Sequence, residues 1–264
     1  MENIIPKKSL GQNFLIDRNI ASKIISLLDI SPNDVLIEIG PGKGILTQFF
    51  FELKNTVYAI EIDKRCVEYL NDTLKKYSHI NIIHQNFLDW TLEKQNFVKK
   101  ELKWVGNLPY NITSSVLFKL IDLYPQVRRA VFMVQREVAE RIVASHGNKD
   151  YGILSVLVQT FYSVKKRFVV SNSVFRPKPR VDSAVITLEC RKNVNLGCEL
   201  QTYQQVVKKA FNQRRKLLTN SLKSLFSQDD FENQPFEFHR RAEEVPVKEW
   251  KILSQHLHQK MIQN

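Results

Sequence analysis

The amino-acid sequence predicts an α/β fold, with a mostly parallel sheet in a Rossmann-like domain and a small all-α domain at the C-terminus. Short apolar runs alternate with segments of helical period, which is the spacing of βαβ units. Motifs that contain glycine or asparagine directly follow several of these runs. Beyond Cys190 the apolar residues recur at helical spacing. We therefore expect two domains, residues 1–190 and residues 191–264.

Five strands are predicted in the first domain because short apolar runs suit a parallel sheet that is buried on both faces. They are Val35–Ile39, Thr56–Ile60, Ile80–His84, Leu102–Val105 and Ala130–Val134. Helices are predicted around them: one capped by Asp17 or Asn19, one opened by Gly40–Gly44 and running through Leu53, one ending near Tyr77, and one at Ser114–Leu123.

The second domain is predicted to be helical. Its apolar positions at helical spacing are Val207, Phe211, Leu218, Leu222 and Leu225, and a last helix is marked by Trp250, Leu253 and Leu257. Within the first group, Arg214, Arg215 and Lys216 are consecutive and cannot share one helical face. We expect one of them to be braced against the core and the others to contact phosphate groups.

Composition excludes several classes of protein. The chain has 264 residues, of which 43% are hydrophobic and 25% charged, as in globular proteins. No apolar run approaches the roughly 20 residues of a membrane span, and the first residues do not resemble a signal peptide. The three cysteines include no C-x-x-C pair, and the six histidines are scattered. We expect no disulfide framework, no metal site and a cytoplasmic location.

The charge distribution indicates a polyanionic partner. The formal net charge is +12, and no acid lies between Asp150 and Asp182 or between Glu199 and Asp229. Basic residues are frequent in both windows: Lys165, Lys166, Arg167, Arg176, Lys178 and Arg180 in the first, and Lys208, Lys209, Arg214, Arg215, Lys216 and Lys223 in the second. A solvated basic surface is the alternative, but two long acid-free windows favour nucleic acid.

The segment after the first predicted strand resembles a nucleotide-cofactor loop. Gly40 and Gly42 would let the backbone approach a ligand closely, and Glu61, at the end of the second strand, could accept hydrogen bonds from both ribose hydroxyls. These features also fit a nicotinamide dinucleotide, but the spacing is G-x-G-x-G and Lys43 interrupts the pyrophosphate turn. Glu38 either lies near one end of the ligand or braces the loop, and the alternative is a buried carboxylate tied to backbone N–H groups.

The tetrapeptide Asn107-Leu108-Pro109-Tyr110 follows the fourth predicted strand. The side-chain oxygen of Asn107 and the carbonyl of Leu108 are two acceptors that can draw an adenine N6 amine towards tetrahedral geometry and stabilise the charge that develops there. Pro109 stiffens the turn, and Tyr110 offers a ring for stacking a flipped base. The alternative is an ordinary strand-to-helix turn. Together with the glycine loop, this motif favours S-adenosylmethionine as the cofactor.

These motifs and several others resemble the KsgA family of small-subunit ribosomal RNA adenine dimethyltransferases. The matching stretches are Lys8–Leu15, Glu38–Gly44, Asn107–Thr113, Met133–Ala139, Tyr151-Gly152, Phe175–Ala184 and Ala210–Leu218. The resemblance implies a Rossmann-like class I methyltransferase domain over residues 1–190 and a helical RNA- and ribosome-binding domain over residues 191–264. It also implies dimethylation at N6 of two adjacent adenosines in the 3′-terminal hairpin loop of 16S rRNA.

The resemblance also implies roles for individual residues. The cofactor-binding residues would be Asn13, Leu15, Gly40, Gly42, Glu61, Ile62, Asn86, Phe87 and Asn107. The family usually has Asp at the position of Asn86, whose side-chain oxygen can still accept a hydrogen bond. Phe175 would close over the target base opposite Tyr110; the alternative is that it is a core aromatic. Arg176, Lys178, Arg180, Arg214, Arg215 and Lys216 would bind RNA.

The partner implied by the resemblance is 16S rRNA within the small (30S) ribosomal subunit or its precursor, bound by a monomer with no membrane contact. Two other functions stay open from the sequence. One is an Erm-type methyltransferase of large-subunit rRNA, or a related N6-adenine DNA methyltransferase. The other is a non-catalytic ribosome assembly factor, which the intact Asn107–Tyr110 motif and Glu61 argue against.

Overall fold

The computed structural model describes residues 4–92, 101–233 and 236–263. The chain forms two compact units. The first comprises Met1–Ala139 and Lys165–Cys190, and the second comprises Glu140–Val164 and Arg191–Asn264. The junction after Cys190 coincides with the domain boundary predicted from the sequence, whereas residues 140–164 belong to the second unit.

The strands in the described residues are β1 (Phe14–Leu15), β2 (Val35–Ile39), β3 (Val57–Glu61), β4 (Ile80–His84), β5 (Leu102–Asn107), β6 (Val127–Gln135), β7 (Tyr162–Val170), β8 (Phe175–Arg176) and β9 (Ser183–Cys190). All five predicted strands are present. No strand was predicted from the sequence at β1, β7, β8 or β9. Two of these, β1 and β8, are too short to carry a periodic pattern.

Seven strands form one sheet in the order β4-β3-β2-β5-β6-β9-β7. The four pairings from β4 to β6 are parallel, and β9 runs antiparallel to β6. The predicted α/β fold with a mostly parallel sheet is therefore confirmed. All five residues of β2 are buried, as expected for the interior of a sheet covered on both faces. The parallel strands place the residues after β2, β3, β4 and β5 along one edge, where ligands bind in such sheets.

The α-helices in the described residues are α1 (Arg18–Ser26), α2 (Lys64–Leu74), α3 (Thr113–Asp122), α4 (Arg136–Val143), α5 (Ile153–Phe161), α6 (Leu200–Asn212), α7 (Leu218–Ser221), α8 (Gln228–Asn233) and α9 (Val247–Gln263). Asp17, not Asn19, caps α1: its carboxylate accepts hydrogen bonds from the backbone N–H groups of Asn19 and Ile20. The prediction of a last helix marked by Trp250 is confirmed by α9.

The prediction of a helix opened by Gly40–Gly44 was wrong. The chain there forms turns and a 3₁₀ helix at Thr47–Phe50. Gly40, Gly42 and Gly44 all have positive φ angles, so a right-handed helix cannot begin before Ile45. Three consecutive phenylalanines at positions 49–51 follow, and these lose side-chain freedom in a helix.

The apolar positions predicted at helical spacing in the second unit do not form one continuous helix. The apolar period from Val207 to Leu225 is interrupted, because α6 ends at Asn212 and residues 213–216 form a turn before α7. The core of this unit contains the fully buried Tyr151, Tyr203 and Trp250. The Tyr151 hydroxyl and the Trp250 indole both donate to the carbonyl of Val245, at 2.9 and 3.2 Å. Throughout the described part of the chain, no helix has the length and apolar composition needed to cross a membrane.

Candidate active site

A cavity of about 710 Å³ lies at the carboxyl ends of β2, β3, β4 and β5, within the first unit. This volume is in the range of pockets that bury a nucleotide-sized ligand. The cavity is lined by every residue predicted to bind the cofactor: Asn13, Leu15, Gly40, Gly42, Glu61, Ile62, Asn86, Phe87 and Asn107. Leu108, Pro109 and Tyr110 line it too. The structure therefore brings together motifs that are separated by up to about a hundred residues in the chain.

The glycine loop is tied to the carboxylate at the end of β3. The N–H of Gly42 donates to Oε2 of Glu61 at 2.9 Å, and the N–H of Asp63 donates to Oε1 at 2.8 Å. A Cβ at Gly42, where φ is +56°, would lie 2.9 Å from the Phe14 ring. Glycine is therefore required both by the left-handed backbone and by the close approach of Phe14. Burial raises the pKa of Glu61, an effect opposed by these backbone N–H groups.

Glu38 is the second buried carboxylate of the cavity, with 1% of its surface exposed. The Thr47 hydroxyl donates to Oε2 of Glu38 at 2.8 Å. Burial raises the pKa of Glu38 to about 8, against the opposing hydrogen bond from Thr47 and with a smaller contribution from the charge of Glu61. Glu38 therefore lines the cavity and is a buried carboxylate held by the hydroxyl of Thr47, and a contact of Glu38 with a ligand stays a prediction.

The loop at Asn107–Tyr110 is held in place from two sides. Nδ2 of Asn107 donates to the backbone carbonyl of Asn13 at 2.9 Å, and the N–H of Leu108 donates to the carbonyl of Met133 at 3.0 Å. A backbone carbonyl can only accept, so this contact selects the amide nitrogen and leaves Oδ1 of Asn107 as the acceptor for another donor. The Tyr110 hydroxyl lies 3.1 Å from Oγ of Ser183, and the Tyr110 ring lines the cavity.

A buried carboxylate fastens the segment that carries Asn13. Gln12 donates through Nε2 to Oδ2 of Asp63 at 2.9 Å, and Lys7 lies 3.7 Å from Oδ1. Arg65 forms an ion pair with Asp63 at 2.6 Å and also donates to the carbonyl of Ile5. Arg65 keeps the pKa of Asp63 well below its usual range. The segment from Ile5 to Asn13 is thus connected to the turn directly after Glu61.

The turn after β4 carries Asn86 and Phe87. Oδ1 of Asn86 accepts from the N–H of Leu88 at 3.1 Å, and Nδ2 donates to Asp89 at 3.0 Å. Oδ1 keeps a second lone pair for a ligand donor such as an adenine amino group. The Phe87 side chain is buried and meets the Trp104 ring edge-on, with centroids 5.0 Å apart.

Phe175 is buried in the core of the structure. Its side chain is 1% exposed and packs in the core with Leu15 and Val170, while the neighbouring Arg176 and Pro177 line the cavity. This placement is that of the core aromatic considered as the alternative. The pairing of β8 with β1 explains it, because Phe175 is directly opposite Leu15 in that ladder.

The basic residues predicted to bind RNA are mostly exposed. Arg176, Lys178 and Arg180 are exposed in the first unit, and Arg215 and Lys216 are exposed in the second. Arg214 is half-buried: its Nε donates to Glu243 at 2.8 Å, and its guanidinium also contacts the carbonyl of Lys149. Arg214 is therefore braced by Glu243 and by the Lys149 carbonyl, and not by the core as predicted, and the three basic residues lie in a turn instead of a helix.

Two residues of the site were missed by the sequence analysis. Asp63 fastens the N-terminal segment, and Lys119 contacts the turn after β4. The spacing Glu61-x-Asp63 was visible in the sequence, but only the fold shows that Gln12 reaches it. Within the residues that the structure describes, no group of three or more His, Cys, Asp or Glu side chains is arranged to hold a metal ion.

Comparison with known proteins identifies the family. The family model described as ribosomal RNA adenine dimethylase matches residues 5–264. The chain belongs to the ribosomal RNA adenine dimethylase family. It is therefore an enzyme that methylates adenines of ribosomal RNA, with S-adenosylmethionine as the cofactor.

Relatives of this dimethylase agree with the assignment. "Ribosomal RNA small subunit methyltransferase A" of Phocaeicola vulgatus is 41% identical over 245 residues, which cover 93% of this chain and 87% of that protein. A dimethyladenosine transferase from Plasmodium falciparum has a similar structure, with a TM-score of 0.78, 25% identity, and coverage of 94% and 98% of the two chains. The 23S rRNA methyltransferase ErmE, with a TM-score of 0.69, 23% identity and coverage of 94% and 100%, shares the fold.

The residues of the dimethylase cavity fit S-adenosylmethionine. Each carboxylate oxygen has two lone pairs, so Glu61 can accept from ribose hydroxyls in addition to the N–H groups of Gly42 and Asp63. Asn86 and Phe87 lie together on the turn after β4, where an acceptor and a ring would meet an adenine.

Proposed function

We propose that this dimethylase methylates N6 of two adjacent adenosines in the 3′-terminal hairpin loop of 16S rRNA, within the small ribosomal subunit or its precursor. The observation that carries the proposal is the contact of Asn107 with the carbonyl of Asn13, which leaves Oδ1 of Asn107 as an acceptor at the cavity wall. The small-subunit substrate is supported by the name of the Phocaeicola vulgatus relative. The Erm-type alternative has no comparable support, since the likeness to ErmE concerns the fold.

The proposed chemistry is a direct displacement, with adenine N6 as the nucleophile. When bound, S-adenosylmethionine supplies a methyl group on a positively charged sulfur. In the first transfer, Oδ1 of Asn107 and the Leu108 carbonyl accept the two N6–H groups and stabilise the positive charge that develops on nitrogen, and in the second transfer one N6–H group remains to be accepted. Tyr110 stacks on the target base. Stacking from the other side by Phe175 requires its ring to leave the core, where it is 1% exposed.

The exposed Arg176, Lys178 and Arg180 of the first unit are proposed to contact rRNA phosphates, together with Arg215 and Lys216 of the second. Arg214 acts indirectly, because its ion pair with Glu243 supports the turn that carries the other two. The helical domain at residues 191–264 is the proposed ribosome-binding part, and a cytoplasmic monomer is the proposed working form.

The test is transfer of labelled methyl groups from S-adenosylmethionine to small subunits that lack the modification, followed by nucleoside analysis. Large-subunit rRNA and duplex DNA serve as competing substrates. Asn107→Ala is the inactive variant, and Asn71→Ala, at an exposed position of α2, is its control. Dimethyladenosine on small subunits, lost only in Asn107→Ala, is the expected result. Label on large-subunit rRNA alone would contradict the proposed substrate.

A further inference from the structure

Lys119 of α3 contacts three successive parts of the turn after β4. Its Nζ donates to the carbonyls of Phe87 and Leu88, each at 2.8 Å, and to the carbonyl of Trp90. An ammonium group has three N–H donors and no acceptor, so these three carbonyls use its whole donor capacity. Hydrogen bonds from a charged donor are about twice as strong as those between neutral groups.

The ammonium of Lys119 also lies over the ring of Phe87, 5.0 Å from the ring centroid. Phe87 is therefore fixed by the cation together with Trp104, whose ring meets it edge-on. Lys119 is half-buried, and burial lowers its pKa, with an opposing contribution from the charge of Asp89. The ammonium group is therefore bound by these local partners and is not a solvated surface charge.

The position of Lys119 in the chain connects two parts of the site. The helix α3 begins at Thr113, directly after the Asn107–Tyr110 loop, and the turn that Lys119 binds carries Asn86 and Phe87. The same turn is closed internally, since Asn86 accepts from Leu88 through its side chain and from Asp89 through its backbone carbonyl. A shift of this turn would move the acceptor of Asn86 relative to the catalytic loop.

We propose that Lys119 is a positioning residue, which holds the Asn86–Trp90 turn against α3 so that Asn86 and Phe87 recognise the adenine of the cofactor. The proposal rests on the proposed role of that turn in adenine binding. It assigns to Lys119 an effect on cofactor affinity and on discrimination between purine bases. It does not involve rRNA binding.

The test compares wild type with Lys119→Met, which keeps most of the side-chain volume and removes all three donors. Lys119→Arg restores the charge, and Lys75→Met, with 75% exposure of the lysine side chain, is the matched control. Calorimetry measures binding of S-adenosylhomocysteine and of S-inosylhomocysteine, which lacks the 6-amino group. These measurements need no RNA, so they are independent of whether 16S rRNA is the substrate.

The expected result for Lys119→Met is a loss of at least about tenfold in affinity for S-adenosylhomocysteine, because several charge-assisted hydrogen bonds are removed. The ratio of the two affinities should fall towards one, with partial recovery in Lys119→Arg and no change in Lys75→Met. Simple destabilisation of the fold would lower both affinities together and leave the ratio unchanged. An unchanged ratio would overturn the proposal. So would an unchanged affinity in Lys119→Met, and so would equal binding of the two ligands by wild type.

If Lys119→Met does not fold, the proposal is tested with Lys119→Arg, by the ratio of its affinities for S-adenosylhomocysteine and S-inosylhomocysteine. A planar guanidinium cannot direct its donors at three converging carbonyls as an ammonium does. A measurable decrease in discrimination is therefore expected in this variant too. Full discrimination would overturn the proposal. Hydrogen exchange of residues 80–92 gives a second readout. In Lys119→Arg, exchange relative to wild type is expected to accelerate more in this segment than in α2.

Discussion

Nδ2 of Asn107 donates to the backbone carbonyl of Asn13 at 2.9 Å, across 94 positions of the chain. This contact decides which end of the Asn107 amide faces the cavity. An amide that rotated freely would present its donor end to a substrate amine for part of the time, and that orientation is repulsive. The N-terminal segment therefore helps to prepare the acceptor needed for methyl transfer to an amine.

Asn107→Asp is predicted to be nearly inactive, although it keeps one oxygen at the acceptor position. The other oxygen would face the carbonyl of Asn13, and two acceptors repel each other. We expect the turnover number to fall by about 10²–10³, the usual effect of losing one preorganised group that stabilises transition-state charge. Single-turnover methylation of small subunits measures it. Affinity for S-adenosylhomocysteine is expected to change much less, and activity within tenfold of wild type would contradict the argument.

The fastening of the N-terminal segment by Asp63 can be tested by Asp63→Asn. Asparagine still caps α2 but loses the charge that holds Arg65 and Lys7, and only one oxygen is left for all partners. We expect tryptic cleavage after Lys7 and Lys8 to become about tenfold faster, because opening of the segment costs less free energy.

The matched control is Asp72→Asn, which removes an exposed ion pair with Lys75 at the C-terminal end of α2. Exposed pairs contribute little to stability, so cleavage should stay at the wild-type rate. Methyl transfer should be slower in Asp63→Asn, since the carbonyl of Asn13 belongs to the released segment. Equal cleavage rates for both variants would show that Asp63 does not hold the segment.

The five mutually parallel strands of the sheet could be predicted from the sequence because they are short, apolar and separated by helical segments, whereas β9 and β7 were not predicted. Val35–Ile39 and Ile80–His84 have the bounds expected. The glycine loop was predicted less well, since the helical period from Ile45 to Leu53 does not reveal that Thr47 bonds to Glu38. Local periodicity contains no information about a contact with the preceding strand.

The residues around the cavity were predicted largely from motifs, and the exceptions have a physical reason. Lys119 lies within a helical pattern, where a lysine ordinarily faces solvent, and the three carbonyls it binds carry no sequence signal. Phe175 illustrates the reverse case. Its motif indicates stacking, but the pairing of two-residue strands places it in the core.

Phe175 and Tyr110 are predicted to respond differently to substitution. Phe175→Ala removes a buried ring and should lower the free energy of unfolding by about 3–5 kcal/mol. Phe175→Leu should recover much of that stability, and thermal or urea unfolding of both variants measures the difference. If the ring also stacks on the substrate, Phe175→Leu will be stable but slow in methylation. Activity equal to wild type in Phe175→Leu would restrict this residue to the core.

For Tyr110, the contributions of the ring and of the hydroxyl to substrate binding can be measured separately. Tyr110→Phe removes the hydrogen bond to Ser183, at 3.1 Å, and keeps the stacking surface. Tyr110→Ala removes both. Stacking of a base on an aromatic ring contributes about 1–3 kcal/mol, so the apparent affinity for small subunits should fall by about 5- to 150-fold in Tyr110→Ala and little in Tyr110→Phe. Equal losses in the two variants would indicate that the hydroxyl matters more than the ring.

Glu38 is expected to make the stability of the protein depend on pH. Its pKa is raised from 4.5 to about 8 in the folded protein. Between these values the folded protein retains a proton that the unfolded chain releases, so the contribution of Glu38 to stability decreases as the pH rises from about 4.5 to about 8. Glu38→Gln has no such proton. It mimics the protonated acid and can still accept from Thr47.

Urea unfolding at pH 5.5, 7.0 and 8.5 measures this effect without cofactor or RNA. The free energy of unfolding of Glu38→Gln minus that of wild type should increase steadily across this series, because wild type loses stability and the variant does not. Glu52→Gln, at an exposed position, is the control and should give a difference that does not depend on pH. A constant difference for Glu38→Gln would contradict a pKa of about 8 for Glu38 in the folded protein.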